Sequence, residues 1–422
     1  MSAARLRVVS GGRDGASAAA APGPFSANPT IAPGAVVGLL RDEGARVERR
    51  DGGLTERFLS PGQEKAARAV REWLAAPGGK RIFRLFGYAG TGKTSVARLL
   101  ADDVPGGAVY CAFTGKAALQ MRRSGCEGAS TIHSLIYSPV ELEDGTVRFV
   151  LDRDSEAKRA GIIVVDECSM VDGQLADDLL SFGKPLLVLG DPAQLPPVGG
   201  EGVLTAAPPD AMLTEIHRQA ADNPIIRWAT TVREGGSLAL GDDGAVRVVP
   251  SGALPVEEVV RFDQVLVGTH RRRLAYIGRM REALGFGGGL PGVGERLICT
   301  RNDRSKGIFN GGMFEASEVA ECRPSRTVKM RVLSKDGYPR RSVEVEVRRE
   351  LFDAKAEPLP GWMHKGLQQF DYGHAITVHK AQGSQWDSVL VYDESRVFRE
   401  DGRRWLYTAL TRASERLTVV LL

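Results

Sequence analysis

The sequence predicts an α/β protein built on parallel, doubly wound sheets, and three observations carry that expectation. Short apolar runs at residues 81–86, 108–112, 161–165 and 185–189 are bounded by turn residues and separated by helical segments, the pattern of strands buried on both faces. A looser version of the rhythm returns at residues 264–268, 296–299, 388–391 and 417–421, which predicts a second α/β domain. The first run leads straight into a glycine-rich loop and a helix, the unit in which such sheets hold phosphate.

Composition agrees with a globular chain: 422 residues, 43% hydrophobic and 26% charged, enough for two or three domains. No apolar run approaches the roughly 18–20 residues of a membrane helix, so a helical membrane-spanning protein is excluded. The 56 basic and 52 acidic residues leave a net charge of +4, which neither demands nor excludes a nucleic-acid partner. Cys111, Cys126, Cys168, Cys299 and Cys322 form no CxxC pair and have no histidine at metal spacing. That argues against a zinc site or a disulfide framework and for a reducing, cytoplasmic setting. The N-terminal stretch carries Arg13 and Asp14 beside its alanines and does not read as a secretory signal.

In chain order, residues 1–35 are Ala, Gly, Ser and Pro with few large apolar side chains, the composition of a disordered tail. Residues 36–58 have no assignment. A helix begins at Ser60 and Pro61, a cap followed by proline at the first helical position, with Ala67, Val70 and Leu74 on one face. The first α/β domain is expected over residues 59–212, and the second over 213–310 and 365–422. Between the two parts of the second, residues 311–364 alternate apolar and polar side chains, as in Val328 to Val332 and Val343 to Val347, and read as a small all-β insertion. The glycine run at 285–294 lacks a flanking strand and helix and reads as a flexible loop. Within the first domain, about residues 138–152, a hairpin is expected to turn at Asp144-Gly145, with Val140 opposite Phe149 and Glu141 opposite Arg148.

Gly87-Tyr88-Ala89-Gly90-Thr91-Gly92-Lys93-Thr94 fits the G-x-x-x-x-G-K-[ST] loop. The glycines Gly87, Gly90 and Gly92 let backbone N–H groups turn inward on phosphate as the helix opens at Ser95. Lys93 reaches the β and γ phosphates of ATP, and Thr94 holds Mg²⁺. Asp166 and Glu167 end the buried run 162–165, where Asp166 completes the Mg²⁺ shell and Glu167 takes a proton from the attacking water. Gln194 follows the next strand and suits a neutral contact to the γ phosphate or the water.

These residues resemble superfamily 1 DNA helicases of the RecD/Dda-like type, which move 5′-to-3′ on single-stranded DNA. The resemblance runs from residue 59 to 422 and implies two RecA-like P-loop NTPase domains, with a β-hairpin pin and a small SH3-like β insertion. Leu59-Ser60-Pro61-Gly62-Gln63 is similar to the segment whose glutamine contacts adenine, which assigns Gln63. Phe113 to Ala118 and Thr131 to Leu135 resemble the first-domain strand-gripping segments. Glu215-Ile216-His217-Arg218-Gln219 and Tyr407 to Ala413 resemble the segments that bring Arg218 and Arg412 to ATP across the cleft. Residues 375–386 are similar to a DNA-contacting segment of this branch.

The implied grip consists of Thr114, Lys116, Thr131, His133, Thr377, His379 and Lys380, side chains suited to phosphate and sugar. His133 and His379 fit equally a packed core histidine, and Trp386 either a base stack or a core residue. The hairpin is a duplex-splitting pin or an ornament. The basic residues of the insertion line phosphate or a solvated face. The expectation is therefore an ATP- and Mg²⁺-dependent monomeric helicase. Its partners are single-stranded DNA, single-strand/duplex junctions, and replication or recombination proteins, in a bacterial or phage-infected cell. The alternatives are a nucleic-acid-stimulated translocase without unwinding, and a non-catalytic binding module.

Overall fold

The computed structural model describes residues 45–50, 53–76, 79–101, 104–141, 147–196, 203–215, 223–303, 306–335, 341–353, 359–364 and 366–422. The chain divides into two compact units, residues 1–57 and 58–422. In the first, strands β1 (Ala45–Arg50) and β2 (Gly53–Phe58) form a two-stranded sheet in the segment for which the sequence has no assignment. The expected tail, residues 1–35, lies outside the described residues.

The larger unit opens with helix α1 (Pro61–Ala75). Ser60 accepts the Gln63 backbone N–H while the Gln63 side chain accepts that of Ser60, a reciprocal cap. Ala66, Ala67 and Val70 turn inward against Phe83, Leu85, Val96 and Leu100, with Leu74 at the margin.

The first parallel sheet follows. Its strands are β3 (Ile82–Gly87), β4 (Ala108–Ala112), β5 (Ser130–Thr131), β8 (Ile162–Asp166), β9 (Leu186–Gly190) and β10 (Ala211–Leu213), in the order β10-β3-β9-β8-β4-β5. Helices α2 (Lys93–Ala101), α3 (Gly115–Arg123), α4 (Ile132–Ile136) and α5 (Gly173–Leu180) belong to this half. The strands are almost wholly buried, and their carboxyl ends bring Gly87, Asp166 and Gly190 to one rim, where ligands bind in such sheets.

The hairpin exists as β6 (Tyr137–Glu141) and β7 (Val147–Leu151), but its register differs by one residue from the sequence expectation. Val140 faces Arg148 and Glu141 faces Val147, and the expected turn at Asp144-Gly145 lies outside the described residues. Register is set at the root: the Tyr137 hydroxyl donates to Asp178, the Ser138 hydroxyl donates to Asp152 at 2.9 Å, and the Asp152 N–H meets the Ile136 carbonyl at 2.8 Å. A two-residue turn would require the other register.

The second parallel sheet has the order β11-β12-β21-β20-β13-β19. Its members are β11 (Gly241–Asp242), β12 (Val246–Pro250), β13 (Gln264–Val267), β19 (Ala375–Thr377), β20 (Trp386–Asp393) and β21 (Ala413–Leu421), with β11 alone antiparallel. Helices α6 (Pro224–Arg233), α7 (His270–Ala283), α8 (Val378–Ala381) and α9 (Gly402–Leu410) accompany it. The fully buried Trp405 packs in one core with Leu406, Leu410, Val389 and Val391. No helix among the described residues is long and apolar enough to cross a membrane.

The run 296–299, expected in this second sheet, belongs elsewhere. Strand β14 (Arg296–Cys299) lies between β15 (Met313–Cys322) and β18 (Phe370–Tyr372) in an antiparallel sheet completed by β16 (Thr327–Ser334) and β17 (Ser342–Arg348). A four-residue apolar run reads alike in either sheet. Val328, Met330 and Val332 oppose Val347, Val345 and Val343 on its inner face. Outward, Arg331 pairs with Glu318 and Glu344, Lys335 with Glu315, and Arg349 with Glu321. The insertion's charges therefore neutralise one another to a large extent, as a solvated face does.

The glycine-rich run before β14 is held in place. Arg281 donates to the Gly288 and Leu290 carbonyls at 2.9 and 2.8 Å, and to the fully buried Glu295 at 2.6 Å. Burial alone would raise the Glu295 carboxyl, yet His374, Arg281 and the Gly292 N–H hold it below its ordinary range. Glu295→Leu strands the Arg281 charge, so chemical denaturation should show a loss of about 3–5 kcal/mol. An unchanged midpoint would contradict this account of the loop.

Candidate functional site

Strand β3 ends at Gly87 and α2 begins at Lys93, with Gly90 and Gly92 between them at φ 79° and 76°, a conformation that favours glycine. A side chain at Gly87 would lie 2.6 Å from the Thr91 hydroxyl. The Lys93 ammonium donates to the Gly87 and Tyr88 carbonyls at 2.7 and 3.1 Å, so it rests against the loop. Gln63, buried, donates to the Thr91 carbonyl at 3.0 Å and braces the loop from α1. Ser95 stands in the first turn of α2.

Beside this loop the Thr94 hydroxyl donates to Asp166 at 2.9 Å. A hydroxyl and a carboxylate at the mouth of a phosphate loop are the hard oxygen donors that a magnesium ion takes. Glu167 follows with φ 52°, a left-handed geometry that costs a non-glycine residue about 1–3 kcal/mol and recurs at functional sites. Burial pushes the Glu167 carboxyl up, while the charges of Arg412 and Lys93 pull it down and those of Asp166 and Asp191 add to the rise. Cys168, buried behind it, fits because Gly190 has no side chain: a Cβ there would lie 2.8 Å from the sulfur.

The second half of the chain reaches the same rim. Arg412 is 5% exposed and donates to the Thr408 and Ser384 carbonyls at 3.0 and 3.2 Å, and it is the strongest charge opposing the burial of Glu167. The Tyr407 hydroxyl donates to Asp191 at 2.7 Å and accepts the Ala89 N–H of the phosphate loop at 3.0 Å. The Arg233 guanidinium lies 3.6 Å over the Tyr88 ring. The Leu195 N–H donates to Thr408 at 2.9 Å, and the Gln382 amide donates to the Leu195 carbonyl at 2.9 Å. Between these ties Gln194 is buried, and its Oε1 has no partner among the described residues, an acceptor left for another group. Arg218 lies outside the described residues. Sequence reasoning passed over Tyr407, Thr408 and Arg233; the first two fall inside the segment 407–413, but no local pattern announces what they reach.

Three of the candidate grip hydroxyls share one local role. Thr114, Thr131 and Thr377 cap α3, α4 and α8, accepting the N–H groups of Ala117, Ser134 and Lys380 at 3.1, 3.1 and 3.3 Å. Gly383, at φ 70°, fits closely against Thr114, since a Cβ there would be 2.9 Å from its hydroxyl. The two halves therefore meet at these segments. The Lys116 ammonium sits 4.0 Å from the Trp386 ring centroid, a cation–π contact that gives Trp386 a partner within the protein. Lys380 donates to Asn310, and burial lowers its pKa. Burial also lowers that of the half-buried His379, whose ring is 5.5 Å from Phe398. His133 is exposed, with its ring 6.3 Å from Phe113 and 5.6 Å from Tyr137.

Residues 58–251 match the family described as AAA domain, and residues 372–420 the UvrD-like helicase C-terminal domain. The chain is 33% identical over 371 residues to the ATP-dependent RecD2 DNA helicase of Deinococcus radiodurans, covering 80% of this chain and 46% of that one. It is 31% identical over 193 residues to the ATP-dependent DNA helicase dda of Enterobacteria phage T4, covering 42% of this chain and 43% of that one. The chain thus spans about half the length of these curated relatives. Among solved structures, a Pif1 helicase studied at forked duplex DNA superposes with a TM-score of 0.53 at 18% identity, covering 86% of this chain and 92% of that one. A Bacteroides Pif1 helicase in complex with ADP-AlF3 and single-stranded DNA gives 0.51 at 18% identity over the same shares. These two likenesses show the fold, a mixed α/β architecture with two RecA-like domains. In its family models and curated relatives the chain is similar to the superfamily 1 helicases of the RecD/Dda-like group, and in its fold to the Pif1 structures.

Proposed function

We propose that this chain is an ATP-driven DNA motor that advances 5′-to-3′ on single-stranded DNA and opens duplex ahead of it. One observation carries the reading: Arg412, from the second half of the chain, lies in electrostatic range of Glu167, beside the Thr94–Asp166 pair and the phosphate loop of the first. A site assembled from both halves makes nucleotide state and closure interdependent, which is what turns hydrolysis into movement.

In this reading Gly87, Gly90, Gly92, Lys93 and Ser95 cradle the phosphates of ATP, and Gln63 stands at the adenine side. Thr94 and Asp166 hold Mg²⁺, which supplies charge neutralisation at the transferred phosphoryl group. Glu167, raised by burial, accepts the proton of the attacking water, and Gln194 offers its unpartnered oxygen to that water. Arg412 and Arg218 stabilise the developing charge. Thr114, Lys116, Thr131, His133, Thr377, His379 and Lys380 grip the strand. The hairpin acts as the pin, a role supported by the 44–52% exposure of Val140, Phe149 and Val150. The antiparallel sheet of β14 to β18 is the SH3-like insertion. The protein works in the cytoplasm as a monomer beside replication or recombination proteins.

A forked-duplex assay tests direction and unwinding together. Single-stranded DNA should stimulate ATP hydrolysis, more strongly at low salt, and a fork with a 5′ tail should open while one with a 3′ tail stays closed. Opening from the 3′ tail alone would overturn the polarity. Stimulated hydrolysis with neither fork opened would leave a translocase.

A further inference from the structure

Between β20 and α9 the segment Ser395–Asp401 packs one aromatic side chain, Phe398, against the core of the second half, while its neighbour Val397 leaves 58% of its surface exposed. Three elements meet that ring. The His379 ring of α8 lies 5.5 Å away, the Trp405 ring of α9 stacks on it at 5.4 Å and 11°, and a Cβ on Gly268, just past the end of β13, would lie 2.8 Å from it. The segment is firmly held. Glu394 at its base accepts the Gly268 and Thr269 N–H groups at 2.6 and 3.1 Å, the Val397 N–H donates to the Glu394 carbonyl at 2.9 Å, and a Cβ on Gly402 would lie 2.5 Å from the Ser395 carbonyl. Arg399, next to Phe398, has φ 47° and ψ −112°, a conformation that a residue with a side chain keeps only where its surroundings impose it. The place of the ring is thus fixed from several sides.

What the ring joins gives it a role. His379 belongs to the proposed strand grip, whereas α9 carries the groups that reach the nucleotide site: Tyr407 meets Asp191 and Ala89, Thr408 meets Leu195, and the Thr408 carbonyl accepts from the Arg412 guanidinium at 3.0 Å. Packed rings shift together, because a dense interior leaves a displaced ring no free volume to enter. We propose that Phe398 is a positioning residue for hydrolysis: it passes the placement of His379 on a bound strand to α9, and so sets Arg412 against the transferring phosphoryl group. Loss of the ring then uncouples the two sites while leaving each in place. The proposal rests on the reading that the chain is a strand-stimulated ATPase.

Steady-state hydrolysis by the full chain, with and without a saturating thymidine homopolymer, tests it, with fluorescence anisotropy reporting strand affinity. Phe398→Ala should lower the strand-saturated rate roughly 3- to 30-fold, while its unstimulated rate and its strand affinity stay near wild type. Phe398→Tyr, which keeps the ring, should retain the stimulated rate. Phe398→Leu, apolar but without a ring, should show the same loss as alanine and serves if the alanine variant unfolds. Added to His379→Ala, which lowers the stimulated rate by itself, Phe398→Ala should cost little more, because both act on one contact. An equal fall of the stimulated and unstimulated rates would assign Phe398 to the packing of α9 alone and overturn the proposal. Full stimulation in the alanine or leucine variant, or additive losses in the double variant, overturns it as well. A wild-type rate that the strand leaves unchanged overturns the strand-stimulated reading and this inference with it.

Discussion

Lys93→Ala should reduce ATP hydrolysis by on the order of 10³-fold, towards background, with little effect on stability. Removing one preorganised charge from a phosphoryl-transfer site costs about 10²–10³ in rate, and Lys93 is also the cation of the loop that would hold the nucleotide. Among the described residues its ammonium bonds to the Gly87 and Tyr88 carbonyls, and those groups lie at the rim rather than in the core. Steady-state hydrolysis and thermal melting on the same preparation separate the two quantities. Turnover near the wild-type rate in a folded Lys93→Ala protein would refute the site.

Arg412→Ala is expected to slow hydrolysis by roughly 10³-fold or more, since an arginine supplied to a transferring phosphoryl group contributes that much, while binding of a fluorescent ATP analogue weakens far less. Two consequences distinguish this residue from Lys93. Arg412 is buried, so its loss also removes its bonds to the Thr408 and Ser384 carbonyls, and the protein should lose about 1–3 kcal/mol. Arg412→Lys keeps a charge but not the planar fork, so it should recover stability in part and activity very little. If Arg412→Ala hydrolyses ATP at the wild-type rate, the proposed closure of one half on the other has lost its main support.

Much of this site is legible in one sequence because its chemistry is local. A phosphate loop needs glycines, a lysine and a threonine within eight positions, between a strand and a helix, and Gly87 to Thr94 satisfies that with no reference to the rest of the chain. The same holds for Asp166 and Glu167, which follow a strand that periodicity alone identifies. The threonine caps at Thr114, Thr131 and Thr377 are also local, although residue type alone does not separate capping a helix from touching a strand.

Elsewhere the deciding contacts lie outside the run of residues that carries the pattern. Residues 296–299 are an apolar run of four, and only pairing with Phe314 on one side and Tyr372 on the other assigns them to the antiparallel sheet. The hairpin's observed register goes with contacts at its root, where Tyr137 meets Asp178 and Ser138 meets Asp152. The glycine run at 285–294 reads as a free loop until Arg281 and Glu295 are seen to fasten it.

Periodicity and spacing along the chain specify parallel sheets and a phosphate loop with its acidic partner, because they record what each segment must bury or bind, while the motifs from residue 59 onward carry the resemblance to a helicase. Tertiary packing alone joins Tyr407 to Ala89 and Asp191, sets Arg412 in range of Glu167 and closes Gly383 on Thr114. Those pairings join residues up to about three hundred positions apart, and a hydrogen bond or a charge acts through space, so no local pattern can specify them.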